Sequence, residues 1–150
     1  MSSLKPRRRS TPRRVPQKSL KKPAIPLYVS AVAAGFPLPG DDAVEQTLSI
    51  DQYLVQNPVA TFFVRASGHS MEGVHITTGD ILVVDRSVSP KSGAIVVAAV
   101  FGELVVKRLM KKGSKTLLVS EHADYEPITV EDGSDCVIWG VVTGVVRKLP

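Results

Sequence analysis
At 150 residues, 43% of them hydrophobic, the chain has the length of a single domain with a modest core. Its net charge of +5 is unevenly placed: residues 1–22 carry nine Lys/Arg and no acid, and the rest carries ten Lys/Arg against fourteen Asp/Glu, so a tail of +9 adjoins a body of −4. No run approaches the roughly 20 apolar residues of a membrane helix, and the single cysteine, Cys136, excludes an intrachain disulfide and suits a reducing cytosol.

Residues 1–23 are rich in Arg, Lys, Ser and Pro, with Pro6, Pro12, Pro16 and Pro23 spaced so that neither helix nor packed strand is expected. A disordered basic tail results. It is suited to nonspecific nucleic-acid contact through phosphates, with an affinity that falls steeply with salt, and equally to being a plain solvated extension. Residues 24–40 form an arm. There a short apolar stretch and the small residues Ala31-Val32-Ala33 follow the basic region, a pattern shared with secretory signals, and the paired arginines hint at twin-arginine export. Pro26 and Ser30 interrupt the apolar run, and the basic stretch is long for such a signal. Phe36, Pro37 and Pro39 keep the following chain extended.

Residues 41–57 carry the one helical signal, with Asp41 or Asp42 as N-cap, Glu45 in the first turn, and Val44, Leu48, Ile50 and Leu54 as an imperfect apolar stripe. A short helical turn, or two broken near Ser49, is expected, with Pro58 ending it. From Val59 onward the chain reads as β, in strands at residues 61–66, 81–85, 94–101, 104–110, 116–120, 128–130 and 137–147. Gly102 marks one tight hairpin and Lys111-Lys112-Gly113-Ser114 another. Seven short strands rich in β-branched residues argue for a mostly β, compact, antiparallel barrel or sandwich. Cys136, opening the apolar run Cys136-Val137-Ile138-Trp139, is expected in the core.

Within that layout Arg65-Ala66-Ser67-Gly68-His69-Ser70-Met71 sets a serine on a glycine turn directly after a strand. Serine is a weak nucleophile and needs a base. His69, His75 and His122 offer no evident Ser-His-Asp set, whereas Lys107, in Leu104-Val105-Val106-Lys107-Arg108-Leu109, shares a strand face with Val105 and Leu109 while Arg108 points the other way. A lysine among apolar neighbours loses hydration, which lowers its pKa; the neutral amine is then a base for Ser70. The same residues also suit a purely structural reading, in which Ser70 caps a turn and Lys107 snorkels from a sheet edge.

The run Ala33-Ala34-Gly35-Phe36-Pro37, then Asp41-Asp42-Ala43-Val44-Glu45-Gln46, Ala66-Ser67-Gly68-His69-Ser70-Met71, Gly79-Asp80 and Val106-Lys107-Arg108-Leu109 resembles the LexA/UmuD family of self-cleaving serine-lysine peptidases over about residues 26–150. The resemblance implies a compact antiparallel β catalytic domain, residues 41–150, preceded by an extended arm, residues 24–40, that carries the scissile Ala34-Gly35 bond, with Val32 and Ala33 filling the subsites before it. It also implies Ser70 as nucleophile, Lys107 as general base and the backbone N–H groups of His69 and Ser70 as the oxyanion donors, with no metal and no cofactor. The implied partners are a RecA filament on single-stranded DNA, a UmuC-type subunit of an SOS translesion DNA polymerase and a second copy of the chain, in the cytoplasm and away from membranes. Asp80, after a turn glycine, is expected to bond nearby backbone N–H groups. His69 stands where UmuD-like boxes carry an acid, and Glu72, Gly73-Val74 and His75 depart from that pattern as well.

Three other classes compete. A LexA-type repressor calls for a helix-turn-helix, and the residues before the body show none; a signal peptidase calls for a membrane anchor. A non-catalytic polymerase-binding module with the same β body and an inert Ser70 and Lys107 differs only in whether cleavage occurs.

Overall fold
In the computed structural model the described residues are 25–28, 44–131 and 135–150. The expected tail, the Ala34-Gly35 bond and the suggested caps Asp41 and Asp42 lie outside them. The chain divides into two compact units, residues 1–47 and 48–150. In the first, β1 (Ile25–Tyr28) and β2 (Val44–Leu48) pair as a two-stranded sheet.

Of the short helical turn, or two broken near Ser49, expected within residues 41–57, the part before Ser49 is corrected and one turn after it is present. Val44–Leu48 is strand, and the only α-helical piece among the described residues is α1 (Ile50–Leu54), preceded by Ser49. An isolated single turn gains little from helical propensity, and the first half of the segment takes a strand partner instead. Pro58 opens a 3-10 turn, Pro58–Ala60, rather than merely ending a helix.

The second unit is a seven-stranded antiparallel sheet in the order β3-β4-β9-β5-β6-β7-β8. Its strands are β3 (Thr61–Arg65), β4 (Ile81–Asp85), β5 (Ile95–Val100), β6 (Glu103–Lys112), β7 (Lys115–Val119), β8 (Ile128–Val130) and β9 (Cys136–Val146). Each lies within two residues of the segment read from the sequence. Phe101 and Gly102, at φ 49° and 81°, form the two-residue loop between β5 and β6, the doubly left-handed turn that matches strand twist. Gly113 and Ser114 form the two-residue loop between β6 and β7, where Lys112 pairs with Lys115 and only Gly113 takes positive φ, 60°.

Because alternate residues face opposite sides of a strand, β5 serves two cores. Val97 joins Ala66, Met71, Ile76, Leu82 and Val84; Val96, Ala98 and Val100 join Leu109, Leu118 and Val141. Each fully buried Val or Leu contributes about 1.5–3 kcal/mol. β9 spans the middle of the sheet, pairing with β4 on one side and β5 on the other. It bulges twice, at Thr143 against Val83/Val84 and at Trp139 against Val97/Ala98, and each extra residue resets which face the following side chains occupy. Gly140 fits between them because a Cβ there would lie 2.9 Å from the Asp85 carbonyl oxygen. Cys136, at the edge of the second core, is half-buried rather than central, and burial pushes its thiol pKa up.

Candidate active site
The loop between β3 and β4, residues 66–80, carries Ser70. The β3–β4 ladder continues into its base, where the Ala66 N–H donates to the Asp80 carbonyl (2.8 Å) and the Gly79 N–H to the Ala66 carbonyl (2.9 Å). Gly68 takes φ 90°, open to glycine at little cost. Its N–H donates to Thr78 Oγ1 (3.0 Å), and that hydroxyl donates to the Gly68 carbonyl (3.1 Å). Met71 and Ile76, 3% and 4% exposed, sink into the first core. Ser70 therefore precedes an anchored methionine, on a loop fixed at both ends.

The loop's base is held by a residue that the sequence did not single out. Arg147, just past β9, donates through Nε to Asp80 Oδ1 (2.6 Å) and through Nη2 to Asp80 Oδ2 (2.7 Å) and the His75 carbonyl (2.9 Å). Asp80 also accepts from the Thr77 N–H (2.9 Å), the backbone role expected of it. The Arg147 guanidinium, and then the Thr77 N–H, hold its pKa down at about 2, although the residue is only 2% exposed.

Lys107 sits on β6 between Val105 and Leu109, opposite Val96 on β5. It is 7% exposed, and burial pulls its pKa below the ordinary lysine value. Its Nζ donates to Ser120 Oγ at 2.5 Å and lies 5.1 Å from the centre of the Tyr125 ring. The ring face favours the ammonium form, but desolvation is the larger influence and the net shift is downward. Arg108 faces the other side, as its position on the strand requires, and bonds Glu121 and the Gly93 carbonyl.

One cleft of about 400 Å³ is lined by Ser70, Lys107 and residues 65–69, with Val64, Met71, Ile76, Val97, Leu104, Val105, Val106 and Tyr125 as its apolar wall. The serine and lysine picked from the sequence thus share a cavity although they stand thirty-seven positions apart. Among the described residues neither the His69 nor the Ser70 backbone N–H has an acceptor. His69 is exposed and pairs with Glu72, so two of the departures in this box bond each other. His122 lies against Tyr125 and Asp124. No three His, Cys, Asp or Glu side chains among the described residues gather as a metal ion would require, and no helix there is long and apolar enough to cross a membrane.

Two site neighbours went unread in the sequence, Ser120 and Tyr125. The first was within reach. A two-residue loop at Gly113-Ser114 fixes the β6–β7 register, Arg108 pairs with Val119, and one step further along that register Lys107 stands across from Ser120.

Known proteins give this arrangement its relatives. Residues 26–143 match the family model described as Peptidase S24-like. The chain is 41% identical to Protein MucA of Salmonella typhimurium over 128 residues, 85% of this chain and 87% of that protein. It is 41% identical to Protein ImpA of Escherichia coli over 124 residues, 82% and 83% of the two, and 38% identical to the LexA repressor of Thiobacillus denitrificans over 121 residues, 80% of this chain and 60% of the repressor. With the family model covering most of the chain and its cleft uniting a serine and a buried lysine, the protein belongs to the Peptidase S24-like serine peptidases, the LexA/UmuD family.

Proposed function
We propose that the protein cleaves itself at Ala34-Gly35, with Ser70 as nucleophile and Lys107 as general base. The observation that carries this reading is the shared cleft, which is lined both by a buried lysine of lowered pKa and by a serine on a fixed loop. Neutral Lys107 takes the Ser70 Oγ proton as Oγ bonds to the Ala34 carbonyl carbon. The tetrahedral oxyanion meets the free N–H groups of His69 and Ser70, each such donor being worth about 3 kcal/mol. The C–N bond then breaks, the lysine proton passes to the Gly35 nitrogen, and water hydrolyses the Ala34 ester to restore Ser70. Ala34 and Gly35 present little bulk to an apolar cleft. β7 pairs only with residues 108–112 of β6, so Leu104, Val105 and Val106 offer an extended segment a strand edge along the cleft wall.

In the cell, a RecA filament on single-stranded DNA favours the docked arm and so raises a slow intrinsic rate. The trimmed product, as a dimer in the cytosol, serves a UmuC-type subunit of an error-prone translesion polymerase in the SOS response. The test is intact-mass analysis of the full chain as pH is raised, beside Ser70→Ala. The expected result is a single cut after Ala34 in the parent alone. If the parent stays whole even with RecA, ATP and single-stranded DNA, the protein acts instead as an inert polymerase-binding module.

The cut would also divide the charge. All nine tail cations lie before residue 35, so the product carries −4 where the intact chain carries +5. Uncut Ser70→Ala protein is expected to bind a single-stranded oligonucleotide with log K falling against log salt at a slope of about −0.7 per phosphate contacted, and the residue 35–150 product is expected not to bind. Equal affinity of the two forms would assign the tail no part in nucleic-acid contact.

A further inference from the structure
We infer that Ser120 is the positioning residue of the base: its hydroxyl holds the Lys107 amine aimed at Ser70, and the residue after it fixes the nucleophile, so that positions 120–121 set the spacing of the dyad. This rests on the self-cleavage reading above. Ser120 is buried, 8% exposed, and accepts from Lys107 Nζ at 2.5 Å. Val105 and Leu109, the neighbours of Lys107 on its own strand face, have no hydroxyl, so the polar partner comes from across the hairpin. Along the same short segment the Glu121 N–H donates to the Ser70 carbonyl at 2.7 Å, and the Glu121 carbonyl accepts from the Gly73 N–H at 2.9 Å. The approach at Gly73 is close, since a Cβ there would stand 2.6 Å from the Glu121 oxygen. Two consecutive residues therefore grip the lysine by a side chain and the serine loop by the backbone.

The chemistry gives the contact a direction. A primary amine has two N–H groups and one lone pair. With one N–H given to Ser120 Oγ and four methylenes packed in the sheet, rotation about the last bond is restricted, and the lone pair is kept for the Ser70 proton. Without the hydroxyl the amine turns freely, and a misplacement of about 1 Å costs on the order of 100-fold in rate. A hydroxyl also accepts more strongly from an ammonium than from a neutral amine, so its loss pulls the lysine pKa further down. The other titratable or charged groups lining the cleft with Lys107 are Arg65, His69 and Tyr125; near them stand Glu72, the His122–Asp124 pair and Glu121, which is held by Arg108, and β6 and β7 also carry Glu103, Lys111, Lys112 and Lys115.

The test compares full-length parent, Ser120→Ala, Ser120→Thr and Ser120→Val by self-cleavage rate against pH, with melting temperature measured on each. Thr and Val have the same shape and differ in the hydroxyl, so the pair stays informative even where Ala disturbs folding. Expected is a maximal rate about 100-fold below the parent in Ala and Val, with the rising limb of the pH profile moved to lower pH, and a rate and limb close to the parent's in Thr. Val matching Thr in rate and limb would overturn the inference while leaving Ser70 and Lys107 in their roles. A parent that does not cut at any pH would overturn the self-cleavage reading and this inference with it.

Discussion
Replacing Lys107 with methionine is expected to slow self-cleavage by about 10²- to 10⁴-fold, the scale of a general base, while leaving the fold as stable or more so. Methionine matches the length and apolar character of the lysine stem, and the amine it removes is one that the protein holds at 7% exposure at a cost in hydration. In the parent the rate should climb with pH as the amine loses its proton, and level off above a midpoint that lies below the ordinary lysine value, because burial lowers the pKa. Stability carries the same signature. The unfolded chain holds the lysine proton up to about pH 10.4 and the folded chain releases it earlier, so between the two values folding is favoured by rising pH, and below the folded value the full cost of the buried charge is felt. Parent and Lys107→Met should therefore differ most in melting temperature at low pH and converge as pH rises toward 10. Cleavage by Lys107→Met within tenfold of the parent would remove the lysine from the mechanism.

The second large effect is on stability. Arg147→Met leaves the Asp80 carboxylate, 2% exposed, with the N–H and hydroxyl of Thr77 as its remaining partners. Asp80 is buried while the Arg147 side chain is 45% exposed, so removing the arginine costs more than replacing both members but less than in a fully buried pair, and a fall in melting temperature of about 5 °C is expected at pH 7. The sign with pH follows from the carboxylate. Its folded pKa of about 2 lies below the value near 3.9 of the unfolded chain, so the contribution is complete above about pH 4 and is lost as pH falls toward 2. Denaturation curves at pH 7 and in acid check this: the gap between parent and Arg147→Met should narrow in acid, and Asp80→Asn combined with Arg147→Met should be less destabilised than Arg147→Met alone. An acid-insensitive gap would mean that the arginine acts through its stem packing and not through Asp80.

Where periodicity and turn chemistry agree, the fold was legible. Ile81–Asp85 and Ile128–Val130 fall at the expected residues, and Gly102 and Gly113 sit in the hairpin loops their positions called for. Ser70 and Lys107 were legible because each carries a local signature, a glycine turn and a charge amid apolar neighbours. Val44–Leu48 was misread as helix because the helical propensities of Glu45, Gln46 and Leu48 are weak beside the pull of a strand partner. Arg147 was invisible since its partner lies sixty-seven residues earlier, and nothing in Arg147-Lys148-Leu149-Pro150 marks one cation as the partner of a buried acid. Ser120 needed the register of a hairpin rather than its existence. The bulges of β9 break the alternation that pattern reading depends on, which is why Gly140 and Val141 are buried in succession.

The bond from the Glu121 N–H to the Ser70 carbonyl joins positions fifty-one residues apart, and the lysine that Ser120 holds is buried only once β5, β6 and β7 have assembled. On the self-cleavage reading proposed above, nucleophile and base are thus far apart along the ribosome's product, and the dyad is complete only when the sheet has closed over both. On that reading a nascent chain with its N-terminal residues already synthesised carries no competent protease against them, and the fold is its own safety catch.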